Sequence, residues 1–116
     1  MPSIDGTLDA ATRALLREVA AASIRHGVQS GNPLRVEADD YPESLRAPGA
    51  SFVTLHRHGE LRGCIGSLEA HRPLVTDVAD NAFAAAFRDP RFTPLRADEL
   101  ADLELHISVL SAPQPL

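Results

Sequence analysis

Residues 51–67, SFVTLHRHGELRGCIGS, predict the central unit of the fold, because their pattern is typical of two β-strands joined by a tight turn. Its first part, FVTL, is rich in the β-branched and aromatic residues that favour strands. His58 and Gly59 follow, and a two-residue turn of this kind tolerates positive φ angles. Residues 60–68 then run back along the first strand. The sequence therefore predicts a β-hairpin whose second strand holds the segment LRGCIGS, residues 61–67.

This segment is the clearest candidate for a functional site, because it holds the only cysteine of the chain. In a regular strand Arg62 and Cys64 share one face, where a permanent positive charge favours the thiolate. Gly63 and Gly66 pack nothing in a strand, which indicates a bulge or the close approach of a ligand or a second backbone. We predict a shallow, glycine-floored pocket, with Arg62 and Cys64 as candidate catalytic residues and all four as candidate ligand-binding residues. The alternative is that Cys64 is a small buried hydrophobe at a tight sheet crossing.

Length, charge and cysteine content restrict the class of protein. A chain of 116 residues has room for one domain, or for two small lobes that share a core. Its formal charge is −5, and its 11 basic residues are all arginines that form no cluster, so we predict no nucleic-acid partner. One cysteine cannot form an internal disulfide, and no apolar stretch approaches the roughly 20 residues of a membrane span. We therefore expect a cytosolic protein that does not bind a membrane.

Two helices are predicted from apolar residues that recur every three or four positions. The first occupies residues 8–22 and is expected to stop at Gly27. The second begins at Pro73 and ends near Arg88, with Asp77 and Asp80 on the side that faces water. Both helices are amphipathic, which is typical of helices packed on a sheet.

The turn after the second helix, DPRF, contributes Asp89 and Arg91 as further candidate ligand-binding residues. A salt bridge that only holds the turn to the sheet is an equally good interpretation. His56 and His58 form an H-x-H pair, but no second pair stands at ligand spacing, so no metal site is predicted.

Residues 103–109 give the clearest strand signal, because apolar and polar residues alternate there. His106 falls on the polar side of this strand. It is a candidate general base for Cys64 if the two strands lie close together, and otherwise an exposed strand histidine.

Several blocks together resemble the AMMECR domain family: SFVTL with LRGCIGS, then DPRFTPL, then ADEL with LELHISVLS. The resemblance runs from about Leu8 to the chain end and implies a single AMMECR-type domain over residues 1–116. It implies an α+β fold of two lobes around a mainly antiparallel sheet, with a groove near the Arg-Gly-Cys segment and no settled activity, and it leaves the cofactor unknown. Together with the patterns above, the predicted architecture has two layers, with helices packed on one face of the sheet. The matching signature residues are Leu61, Arg62, Gly63, Cys64, Ile65, Gly66, Asp89, Arg91 and Phe92.

In bacteria this family includes proteins of the AmmeMemoRadiSam system, so the resemblance also implies Memo-like and radical SAM companion proteins as partners. Family members continue past the strand that ends here near Ser111, which implies either a fragment that is incomplete at its C-terminus or a naturally short version of the domain.

Three functions remain open from the sequence. The chain is a binding module that receives a small anion, a peptide or a partner protein at Arg62, Gly63 and Cys64. Alternatively, it is an enzyme in which Cys64 is the nucleophile and Arg62 activates it or clamps an anion. In the third hypothesis the glycines serve only the close packing of helix and hairpin. The first is preferred, because it needs no catalytic base.

Overall fold

Three strands form one antiparallel sheet in the order β2-β1-β3. The computed structural model describes residues 8–110. The strands are β1 (Ala50–Arg57), β2 (Glu60–Gly66) and β3 (Leu103–Leu110), and the helices are α1 (Ala10–Ser30), α2 (Glu43–Arg46) and α3 (Leu74–Phe87). A 3₁₀ turn, Ala97–Asp102, leads directly into β3. The predicted strand end near Ser111 lies outside the described residues.

The hairpin prediction is confirmed. His58 and Gly59 have φ angles of 54° and 77°, the positive values that a tight two-residue turn requires. β1 is the central strand and pairs with both neighbours, so its pairings set the register of β2 and of β3.

The helices cover one face of the sheet, which we call the inner face. Val53 and Leu55 point to it and are fully buried. α3 packs directly on β1 and β2, while α1 packs on α3 and reaches the sheet beside β3. The other side, the outer face, carries Phe52, Thr54 and His56 from β1, and no helix in the described part of the chain packs there. The predicted α+β architecture, with helices on one face of an antiparallel sheet, is therefore confirmed.

The first helix differs from its prediction at Gly27. α1 begins after Asp9, whose carboxylate accepts a hydrogen bond from the Thr12 amide, and it continues through Gly27 to a left-handed cap at Gly31. Gly27 is buried against α3, where a Cβ atom would lie 2.4 Å from Cε2 of Phe87. The predicted stop was wrong because this glycine lets two helices approach closely instead of ending one.

Among residues 8–110, no helix is both long and apolar enough to cross a membrane.

Candidate functional site

A β-bulge at Arg62 separates the two residues that the sequence predicted to be neighbours. Gly63 pairs with Leu55 and Leu61 pairs with His56, so Arg62 is the extra residue on β2. Its guanidinium donates to Glu99 from Nε (2.8 Å to Oε2) and Nη2 (3.0 Å to Oε1). The prediction that Arg62 shares a face with the Cys64 thiol was wrong, because one inserted residue reverses the alternation of side chains.

Glu99 belongs to the 3₁₀ turn and is almost fully buried. The hydrogen bonds from Arg62 lower the pKa of this carboxyl group from 4.5 to about 2, although burial opposes the change. The Glu99 carboxylate also accepts from the Arg96 amide and lies 3.5 Å from the guanidinium of Arg57. Arg62 therefore joins the hairpin to the turn that precedes β3.

Cys64 lies on the outer face, directly opposite Thr54 of the central strand. Its thiol is within hydrogen-bond distance of the Thr54 hydroxyl, with Sγ and Oγ1 3.2 Å apart, and the residue is half-buried. Its backbone N–H points away from β1 and donates to Oδ2 of Asp89 at 3.0 Å. An acidic side chain thus occupies the free edge of β2 at Cys64.

Asp89 and Arg91 lie beside Cys64 in a salt bridge that ties their turn to the edge of β2, which is the structural alternative considered for this turn, and their predicted role in ligand binding stays a prediction. Arg91 donates to both carboxylate oxygens of Asp89, at 3.1 and 2.8 Å, and these bonds lower the pKa of Asp89 well below its usual range. Oδ2 accepts from the Arg91 guanidinium and from the Cys64 amide at once. Arg91 is therefore linked to Cys64 through this shared carboxylate, which compensates its charge, whereas Arg62 is bound to Glu99.

Both motif glycines lie under other groups. A Cβ atom on Gly63 would lie 2.0 Å from the carbonyl oxygen of Ala85 in α3. A Cβ on Gly66 would lie 2.0 Å from Cδ1 of Phe52, whose ring covers this glycine on the outer face. The space beside each glycine is filled, so neither forms the floor of the predicted open pocket.

The outer face brings several polar groups together across three strands. In the same register row, Thr54 pairs with Cys64 on one side and with His106 on the other. The rings of His106 and His56 meet edge to face, with their centroids 5.5 Å apart. His106 thus shares the face of Cys64, as a base would need to, but Thr54 lies between them.

A polar cluster that the sequence interpretation missed lies under the ends of the hairpin. Asp77 was expected to face water, yet it is fully buried, so that prediction was wrong. Its carboxylate accepts hydrogen bonds from Ser51 (amide and hydroxyl), the Ser67 hydroxyl, the Arg72 guanidinium and the Asn81 amide. The signal in the sequence was the pair Asp77 and Asn81, four residues apart on a helix face otherwise filled with apolar residues.

A polar cleft of about 270 Å³ opens at the end of the sheet beyond the bulge. Its lining residues are Arg57, Arg62, Thr93, Arg96, Asp98 and Glu99. Each arginine is paired with a carboxylate there: Arg57 with Asp102, Arg62 with Glu99 and Arg96 with Asp98. The cleft therefore has little net positive charge to attract an anion.

The described residues contain no group of three or more His, Cys, Asp or Glu side chains placed to hold a metal ion. His58 lies in the hairpin turn, with Nε2 3.3 Å from Oδ2 of Asp102.

Fold and site together define a small α+β domain in which a central hairpin is fastened to its helices on one face and left uncovered on the other. Comparison with known proteins identifies the family of this domain. The AMMECR1 family model matches residues 17–116, and the chain belongs to that family.

Similar proteins come from archaea and bacteria. A protein of Methanothermobacter thermautotrophicus is 40% identical over 101 residues, which cover 87% of this chain and 52% of the relative. A protein of Thermotoga maritima is 49% identical over 86 residues, covering 70% and 49% respectively. The crystal structure of an uncharacterised protein from Pyrococcus horikoshii superposes with a TM-score of 0.77 at 33% identity, covering 86% of this chain and 51% of that one. The chain thus spans about half the length of these relatives.

Proposed function

We propose that this chain is a ligand- or partner-binding module whose site is the outer face of the sheet, beside the strand that carries Arg62, Gly63 and Cys64. The observation that supports it is the uncovered face itself. Thr54, His56 and Cys64 are only half-buried there and His106 is exposed, although all lie on the paired strands that form the centre of the domain. Exposed polar and aromatic groups on a rigid sheet provide a preformed surface for recognition.

Binding is favoured over nucleophilic catalysis because the groups that would activate Cys64 are engaged elsewhere. Arg62 is bound to Glu99, and the charge of Arg91 is compensated by Asp89. His106 is separated from the thiol by the side chain of Thr54, to which both residues are paired. A binding surface requires none of these activating contacts.

Membership of the AMMECR1 family suggests which occupants to test first. The proposed partners are a Memo-like protein or a radical SAM protein, and a small anion or a peptide are the alternatives. Imidazoles at His56 and His106, with the hydroxyl of Thr54, suit hydrogen bonding to a protein surface.

The test measures binding of a Memo-like protein from the same genome by isothermal titration calorimetry. His106→Glu places a charge on the outer face and is expected to weaken binding by about tenfold or more, since a buried unpaired charge is costly at an interface. His71→Glu is the matched control, because His71 is exposed and its ring contacts only the neighbouring carbonyl of Glu69. Equal affinities in the two variants contradict the proposed site, and no binding by the unmodified chain excludes this partner.

An enzyme that uses Cys64 as nucleophile is the second candidate. Cys64 is only half-buried, and this partial exposure of the residue is the observation that favours the second candidate. The rate of alkylation by iodoacetamide, measured against pH in the native state, tests this function. A slower reaction in Arg91→Ala but not in Arg62→Ala supports an activated thiolate, and equal rates in all three proteins contradict it.

A further inference from the structure

Two histidines from different strands meet on the outer face of the sheet. His56 belongs to β1 and His106 to β3, in adjacent rows of that face. Their ring centroids are 5.5 Å apart, and no helix among residues 8–110 packs over them. Along the chain the nearest histidine to His56 is His58, which lies in the hairpin turn. The imidazole that lies beside His56 is therefore one that only the folded sheet brings there.

The ring nitrogens of this pair are not engaged, unlike those of the other histidines in the chain. His26 and His71 each have a ring nitrogen within hydrogen-bond distance of a backbone carbonyl, and His58 lies 3.3 Å from a carboxylate oxygen. Among residues 8–110 no hydrogen bond engages a ring nitrogen of His56 or His106. A neutral imidazole has one nitrogen lone pair that can bind a metal ion. The two histidines that touch each other thus both have this lone pair available.

The separation of the two rings suits coordination of one metal ion. A zinc ion lies about 2.1 Å from an imidazole nitrogen, and therefore roughly 3.2 Å from the centre of the ring. Two such rings have centroids about 5.2 Å apart at a tetrahedral angle and about 4.5 Å apart at a square-planar right angle. The observed 5.5 Å is nearer to the tetrahedral value. The rings stand edge to face, at 80°, and the broad χ2 torsion of histidine lets each turn a nitrogen toward a common point.

A carboxylate adds negative charge beside the pair. Glu104 lies directly opposite His56 in the register of β1 and β3, and it forms no hydrogen bond or ion pair with another described residue. It is not placed as a third ligand, because residues 8–110 contain no group of three or more His, Cys, Asp or Glu side chains that could hold a metal ion. Its charge nevertheless favours a cation at this point of the outer face.

We propose that His56 and His106 together bind one Zn²⁺ ion on the outer face, each through one ring nitrogen. Imidazole ligands suit zinc, and the ring separation is close to that of its tetrahedral geometry. The ion joins β1 to β3, and water or a docked molecule takes its remaining coordination positions. The site lies on the face that we propose as a binding surface, but it requires no partner. Zinc binding is measured on the chain alone and partner binding with a chelator present, so the two proposals fail independently.

Isothermal titration calorimetry with zinc chloride tests the site, in a buffer that does not chelate the ion and at a concentration where sedimentation shows a monomer. One ion per chain is expected. His56→Gln and His106→Gln are each expected to weaken binding by at least about tenfold, because each removes one of two ligands. His71→Gln is the matched control and should leave the affinity unchanged, since His71 is exposed and contacts only its own loop. Absence of binding by the unmodified chain, or equal affinity in all three variants, overturns the proposal.

Two further measurements identify which histidines hold the ion. His58→Gln tests a site formed along the chain by His56 and His58, and a loss as large as that of His106→Gln overturns the cross-strand site. In NMR spectra of the unmodified chain, the ring nitrogen signals of His56 and His106 are expected to shift when Zn²⁺ is added, while those of the other histidines stay in place. Shifts of similar size at all five histidines would mean adventitious binding only and would overturn the proposal.

Discussion

Substitution of Gly63 by alanine separates a packing role of the motif from a ligand-binding role. The added Cβ would lie 2.0 Å from the Ala85 carbonyl oxygen, whereas ordinary contacts begin at 3.4 Å. β2 and α3 must then separate by roughly 1 Å, and both belong to the close-packed interior, where neighbouring groups cannot follow. We expect a loss of about 3 kcal/mol in the free energy of unfolding, at the upper end for overpacked sites.

Two other glycines of the hairpin provide matched controls. At Gly66 the new Cβ would contact only the ring of Phe52, which is half-exposed and can rotate away. At Gly59 nothing lies within 4 Å, so Gly59→Ala costs only the strain of a φ of 77°. Each control is expected to lose about 1 kcal/mol.

The assay is urea unfolding followed by far-UV circular dichroism, with linear extrapolation to water. A Gly63→Ala protein that is no less stable than Gly59→Ala would contradict the close packing of Gly63 against the Ala85 carbonyl. A Gly63→Ala protein of unchanged stability that no longer binds its partner would instead indicate a ligand site at this glycine.

Further predictions concern the polar contacts. Asp77→Asn should lower the free energy of unfolding in urea by about 3 kcal/mol, because it removes the charge of a buried carboxylate that accepts from several donors. Asp80→Asn should lower it by less than about 1 kcal/mol, because the ion pair of Asp80 is partly exposed. Similar losses in the two variants would contradict a special role for the buried Asp77 carboxylate. Because the folded-state pKa of Glu99 is lowered to about 2, its stabilising contribution is complete above pH 4.5 and is lost as the pH falls from 4.5 toward 2. The midpoint temperature of thermal unfolding should therefore fall less steeply with decreasing pH in Glu99→Gln than in the unmodified chain. An unchanged slope would contradict the stabilising role of the Glu99 carboxylate. Asp89→Ala should accelerate hydrogen exchange of the Cys64 amide, whose acceptor it removes, and unchanged protection would contradict that bond.

The hairpin and the helix-on-sheet architecture could be predicted because local sequence determines them. Alternation with a period of two marks the strands, and the dipeptide His58-Gly59 adopts the positive φ angles that a tight turn needs. The motif resemblance identified the family for the same reason, since LRGCIGS is a contiguous segment. These features depend on residues near one another in the chain.

The arrangement of the candidate site was decided by tertiary contacts. One bulge residue directs Arg62 to Glu99, 37 positions away, instead of to the Cys64 thiol. Arg91 takes the place beside Cys64 because the chain returns along the β2 edge after α3.

The strands, the turn, the helical segments and the family of this protein could all be derived from the amino-acid sequence. The folded structure was needed to establish that Asp77 is buried, that Gly27 lies within a helix, and that Arg91 is linked to Cys64 through Asp89. The physical reason is that periodicity reports which side of an element is apolar, whereas the contacts of a polar side chain or a glycine depend on segments that only the folded chain brings together.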